Sequence, residues 1–167
     1  MMWSIETFSA DQTVACGRSL APLLAAGDVV LLSGDLGAGK TQLTKGIATG
    51  LKVVEPVTSP TFNILLVHEG RIPLYHFDLY RLDHGWQLED LDYYATLEAD
   101  GVSVVEWGDR FTEAQPADGL SVTLRIEDDA ERRIDMRPLG PRGEQLASEW
   151  AAACRAVEGV SVVELPT

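Results

Sequence analysis

Gly34-Asp35-Leu36-Gly37-Ala38-Gly39-Lys40-Thr41 satisfies the pattern G-x-x-x-x-G-K-[ST] at every specified position. Residue frequencies alone would produce such a match in on the order of one per cent of chains this long, so the pattern carries weight. Its chemistry is phosphate recognition. Glycines let the backbone turn its N–H groups toward anionic oxygens, and the N-terminus of the following helix adds partial positive charge. Lys40 is suited to neutralise β/γ-phosphates, and the Thr41 hydroxyl to take one Mg²⁺ position. Asp35, Leu36, Gly37, Ala38, Gly39, Lys40, Thr41 and Gln42 are therefore the candidate nucleotide-binding run. The plainer alternative, a glycine-rich turn with an exposed lysine, is disfavoured by what flanks the loop. Residues 28–33 read as a buried strand and residues 40–49 as a helix closed by Gly50, the two elements such a loop needs.

A loop of this kind needs a carboxylate at the end of a neighbouring strand, because Mg²⁺ prefers oxygen ligands and keeps several waters. Asp78, which closes Tyr75-His76-Phe77-Asp78, is the best candidate; its plainer role is to cap the next turn. Glu106 follows the apolar run Val102-Ser103-Val104-Val105 and occupies a second strand end, where ligands sit in open α/β sheets. The competing readings place Trp107 in the core and pair Glu106 with Arg110 four residues on. Pro56-Val57-Thr58-Ser59-Pro60-Thr61-Phe62 is a hydroxyl-rich loop pinned by two prolines. Such a loop beside a phosphate site can sense the γ-phosphate, although each hydroxyl taken singly is more often a turn-former.

The elements that must position these residues follow from periodicity. Residues 3–8 suggest a short strand, and Ser9 with Gln12 a capping box for a helix over 10–26 that Pro22 kinks or splits. Leu43, Ile47 and Leu51 form a stripe expected to face the sheet. Residues 62–68 and 72–77 predict an antiparallel hairpin, and 120–126 with 132–138 a second one. A helix is expected over 86–97 with Leu88, Leu91 and Tyr94 inward, and another over 142–157 with Leu146, Trp150 and Cys154 at four-residue spacing. The domain is expected to span residues 1–158, with 159–167 a weak strand or loose tail.

The chain has 167 residues, which predicts one domain with a real hydrophobic core, and a formal charge of −13. That charge argues against gripping a nucleic-acid backbone unaided. Cys16 and Cys154 form neither a metal-ligand spacing nor a disulfide framework, which fits reduced thiols. His68, His76 and His84 lack companion ligands at metal-type spacing and read as ordinary surface or strand histidines. No targeting segment or membrane-length apolar run is evident, so a cytoplasmic protein without membrane contact is expected.

Four segments in order and spacing, the phosphate loop, Thr58-Ser59-Pro60-Thr61-Phe62, His76-Phe77-Asp78-Leu79-Tyr80-Arg81-Leu82 and Val105-Glu106-Trp107, resemble the TsaE (YjeE) family over roughly residues 5–140. The resemblance implies an α/β, P-loop NTPase-like three-layer fold with a mixed parallel/antiparallel central sheet. It also implies an ATPase that binds ATP/ADP and Mg²⁺ and works with TsaB and TsaD in threonylcarbamoyladenosine modification of tRNA, touching tRNA only indirectly and resetting the complex between turnovers. By position, Lys40 and Thr41 match the family's phosphate-loop pair, Thr61 its switch-like loop, Asp78 its metal-associated aspartate, and Glu106-Trp107 its second strand-end motif. Thr13 is a family-like adenine candidate. Catalytic roles are thus expected of Lys40, Asp78 and Glu106, and metal roles of Thr41, Asp78 and Glu106, with Glu106 either polarising water or organising Mg²⁺. Gln42 and Lys45 stand where Thr and Arg are commoner. A small-molecule kinase with Arg132, Arg133 and Arg137 as a lid is the rival enzyme, and a non-hydrolysing nucleotide-dependent binding module the rival non-enzyme. The absence of an Asn-Lys-x-Asp motif argues against a GTPase.

Overall fold

The computed structural model describes residues 2–58 and 63–166. Among these, eight strands make one mixed sheet: β1 (Met2–Thr7), β2 (Val29–Ser33), β3 (Leu65–His68), β4 (Leu74–Asp78), β5 (Val102–Glu106), β6 (Leu120–Ile126), β7 (Arg132–Pro138) and β8 (Ser161–Leu165). The spatial order is β3-β4-β5-β2-β6-β7-β1-β8. Strands β4, β5, β2 and β6 run parallel, while β3, β7, β1 and β8 attach antiparallel. The central strands β2 and β5 are buried at every residue, as expected where both sheet faces are covered. The β6 pattern alternates, as anticipated for a hairpin with one wet face.

Helices α1 (Ala10–Leu20), α2 (Lys40–Gly50) and α5 (Pro141–Cys154) cover one face through a cluster that includes Leu20, Leu43, Ile47, Leu146 and Trp150. Short helices α3 (Gln87–Asp90) and α4 (Tyr93–Leu97) cover the other, around Phe77, Leu88, Tyr93 and Val105. This is the three-layer arrangement anticipated. Ser9 caps α1 by accepting the Gln12 N–H at 3.1 Å. Pro22 ends regular helix early, and residues Ala21–Leu23 form a 3₁₀ turn. The backbones of α1 and α2 approach closely enough that a Cβ at Gly17 would meet the Leu43 carbonyl, and one at Gly46 the Val14 carbonyl.

One expectation needs correction. The helix over 86–97 is two short helices, because Asp92 adopts a left-handed conformation (φ 53°) between them. The break changes the helical phase: Tyr93 is buried and donates its hydroxyl to the Ala114 carbonyl at 2.6 Å, whereas Tyr94 is 43% exposed. The C-terminal segment, read as a weak strand or loose tail, takes the first form: residues 161–165 are an edge strand on β1. The start of the strand expected at Phe62 lies outside the described residues; β3 begins at Leu65.

Cys16 and Cys154, far apart in sequence, meet in the core as free thiols; the hydrogen bond to Cys16, then burial, push the Cys154 thiol up. Among the described residues, no helix is long and apolar enough to cross a membrane.

Candidate nucleotide site

Between β2 and α2 the chain turns through Gly34, Gly37 and Gly39, all at positive φ (145°, 83° and 106°). A Cβ would strain each of these conformations, which explains glycine at these places in the loop. The Ala38 N–H closes the turn on the Asp35 carbonyl at 3.0 Å. Lys40 and Thr41 begin α2, so their N–H groups belong to the helix turn that has no intrahelical acceptors.

A cleft of about 500 Å³ opens beside this loop and is lined by Leu36, Gly37, Gly39, Lys40, Thr41, Gln42, Asp78, Tyr80, Glu106 and Trp107. The sheet explains the convergence. Strands β4 and β5 end side by side with Asp78 in register with Glu106, and β5 pairs with β2, which leads into the loop. Both carboxylates are largely buried, at 5% and 3% exposure. Asp78 accepts the Tyr80 N–H at 3.0 Å, so it does cap the following turn while also lining the cleft.

Lys40 is 7% exposed; its Nζ donates to the Gly34 carbonyl at 2.7 Å and lies 4.0 Å from the Trp107 ring centroid. Trp107 has φ 62°, an uncommon conformation for a bulky residue, held by its N–H bond to the Leu32 carbonyl at 3.0 Å. Its ring packs 5.1 Å from that of Tyr80. Trp107 is therefore a cleft wall and a cation–π partner of Lys40, and only partly a core residue.

The competing reading, a Glu106–Arg110 pair, is not what the side chains do. Glu106 turns to His76, whose Nε2 lies 2.7 Å from Oε2, and Arg110 donates to the Tyr80 carbonyl. Thr13 does not line this cleft. It is buried, its hydroxyl shares a hydrogen bond of 2.8 Å with that of Thr7, and it borders a smaller hollow of about 290 Å³ with Gly37, Gly39, Gln42, Asp129, Ala130 and Arg132. Gly37, Gly39 and Gln42 are common to both hollows. Arg132 donates to the Gly37 carbonyl at 3.3 Å, so one member of the arginine set weighed as a lid does touch the loop. Asp35 and Ala38 contribute backbone to the turn but do not line the main cleft. Thr61 lies outside the described residues.

Sequence reasoning missed His76 and Tyr80. Both sit within two residues of Asp78, and strand alternation places His76 on the same sheet face as that aspartate. That parity was the available signal.

The residues present suit a polyphosphate with a divalent cation. A lysine, a glycine turn and two buried carboxylates meet at the cleft. Among the described residues, no three His, Cys, Asp or Glu side chains are grouped to hold a metal alone. Mg²⁺ would then be shared between protein and phosphate oxygens, its usual mode.

Residues 7–134 match the model of a protein family described as threonylcarbamoyl adenosine biosynthesis protein TsaE. A Bacillus subtilis protein named tRNA threonylcarbamoyladenosine biosynthesis protein TsaE is 39% identical over 145 residues, which cover 86% of this chain and 90% of that one. A Streptomyces coelicolor protein of the same name is 46% identical over 145 residues, covering 82% and 93%. The crystal structure of Bacillus subtilis YdiB superposes with a TM-score of 0.78 at 34% identity, over 91% of this chain and 95% of that one. Fold, length and the span of the match agree, and the chain belongs to the TsaE family.

Proposed function

We propose that this chain is a Mg²⁺-dependent P-loop ATPase that acts with the TsaB–TsaD complex in threonylcarbamoyladenosine modification of tRNA, ATP hydrolysis resetting the complex between turnovers. Membership of a family named for that biosynthesis supports the pathway. The observation that carries the chemistry is the meeting of Lys40, Asp78 and Glu106, from three separate elements, in one cleft beside the glycine loop.

The division of labour follows from donor chemistry. An ammonium has three N–H donors; with one engaged at Gly34, two remain for phosphate oxygens. Thr41 and Asp78 would hold Mg²⁺, which when bound offsets charge on the β- and γ-phosphate oxygens. Glu106 would orient the attacking water or a water of the ion. Trp107 and Tyr80 wall the cleft and keep Lys40 from turning to solvent. The formal charge of −13 supports indirect rather than direct engagement of tRNA, and work beside tRNA fits the cytoplasm.

Product analysis of Mg²⁺-ATP incubated with this protein and purified TsaB–TsaD tests the reading. ADP and free phosphate, released together with tRNA modification, are expected. A phosphorylated small acceptor would make the protein a kinase, and unchanged ATP would make it a binding module; either result overturns the proposal.

A further inference from the structure

His76 is fully buried on β4, two residues before Asp78, and its Nε2 lies 2.7 Å from Glu106 Oε2. Its Nδ1 is buried without a hydrogen-bond partner among the described residues. Register pairs His76 with Val104 and Asp78 with Glu106. Glu106 thus has a carboxylate as its lateral neighbour, yet its own carboxylate is drawn to the diagonal position, where the imidazole waits. Packing does not account for an imidazole here. Leu74, Val102 and Val104, on the same face of the same two strands, are apolar and fully buried, and an apolar residue at 76 would leave no orphaned nitrogen. The tautomer with hydrogen on Nε2 satisfies Glu106 and leaves only a lone pair at Nδ1.

We propose that His76 is a positioning residue: its Nε2–H holds one oxygen of Glu106, keeps that carboxylate apart from Asp78, and presents the other oxygen to the cleft. This rests on the ATPase reading of the cleft. Without the tether, Glu106 would sample other rotamers, and a reacting water would be aligned only part of the time.

The test uses His76→Phe and His76→Gln, each alone and combined with Glu106→Gln, in the full-length chain with TsaB–TsaD, with thermal melts to verify folding. His76→Phe is expected to lower kcat by about tenfold or more, with KM for Mg²⁺-ATP and Kd for ADP within about threefold of wild type. His76→Gln, which can still offer an N–H to Glu106, should restore much of the rate. In the Glu106→Gln background, His76→Phe should cost little more. Unchanged kcat in folded His76→Phe, or an equal loss in both backgrounds, overturns the proposal.

A readout independent of turnover separates this idea from the ATPase reading. The nucleotide-free protein should show by NMR a slowly exchanging His76 Nε2–H whose shift changes in Glu106→Gln, and its absence overturns the contact. The signal intact in a protein that never releases phosphate overturns the ATPase reading, and with it any catalytic purpose for the tether.

Discussion

An ammonium that must meet phosphate is best held in place beforehand, and Lys40 is held by the Gly34 carbonyl below and the Trp107 ring beside it. Substituting Lys40→Ala removes the lysine that lines the cleft but leaves the glycine backbone intact. Mg²⁺-ATP binding should weaken by about 1.5–3 kcal/mol, the usual worth of a charge-assisted hydrogen bond, and calorimetry on the folded variant measures it. Asp78 and Glu106 stand in register but face different partners, the Tyr80 N–H and the His76 imidazole. Their substitutions should therefore separate. Asp78→Asn should raise the Mg²⁺ concentration needed for half-maximal hydrolysis, whereas Glu106→Gln should lower turnover even at saturating Mg²⁺. Coincident Mg²⁺ titrations for wild type and both variants would contradict that division. The loop was legible because its signal is local: eight consecutive residues state it. The partner of Glu106 was not, since His76 lies thirty positions away and meets it only once strand order and register are known. The plainer alternative, a pair with Arg110 four residues on, would need helical geometry that Trp107 interrupts at φ 62°.

Among the elements, α5 is secured at its N-terminus by a side chain from another part of the chain. Asp118 accepts the N–H groups of Arg142 (2.9 Å), Gly143 (2.9 Å) and Gly119 (2.7 Å), and Arg142 in turn grips Asp28 with Nε and Nη2 at 2.9 and 2.7 Å. Burial pushes the Asp118 carboxyl up, but the three backbone N–H groups and the Arg142 guanidinium outweigh it and hold the group below its ordinary value. The sign of the pH dependence follows. A carboxyl whose folded value is depressed contributes stability above its unfolded value, about pH 4, and loses it as the pH falls through the folded one. Asp118→Ala should lower stability by about 1 kcal/mol at neutral pH, as loss of a helix cap does. The gap in melting temperature between wild type and variant should close as pH drops below about 4. A gap independent of pH would show that the carboxylate charge is not what matters. At this scale the strands and long helices were readable from period and flanking glycines, since both follow from sheet or helix burial alone. The split at Asp92 was not, because it depends on Tyr93 reaching the Ala114 carbonyl, a tertiary demand that overrides helical periodicity. Strand β8 was legible only as one of two alternatives, because its residues are mostly exposed and its edge position offers little burial to leave a pattern.

For the molecule as a whole, charge and the construction of the cleft lead to one prediction: the isolated protein is a slow ATPase with little affinity for tRNA, and fast turnover requires TsaB–TsaD. The tRNA half is electrostatic. Binding a phosphate backbone requires a basic surface and releases counterions, and a chain with 26 acidic and 13 basic residues has little with which to build one. The turnover half comes from the cleft. Many P-loop hydrolases gain much of their rate from an arginine brought against the developing phosphate charge. Arg110, four residues beyond Glu106, donates to the Tyr80 carbonyl and lies against the rings of Tyr80 and Phe111, at 5.7 and 5.5 Å. Recruiting it would mean giving up those contacts, which a docked partner can compensate and an isolated chain cannot. Arg110→Ala therefore belongs in the same experiment. Phosphate release should be slow for the protein alone, rise severalfold with TsaB–TsaD, and fall away for Lys40→Ala with the same partners. If docking recruits Arg110, the partner-stimulated rate should drop in Arg110→Ala while the rate of the isolated protein stays put. A full rate in the absence of partners, or salt-sensitive nanomolar binding of tRNA to the isolated chain, would defeat the prediction.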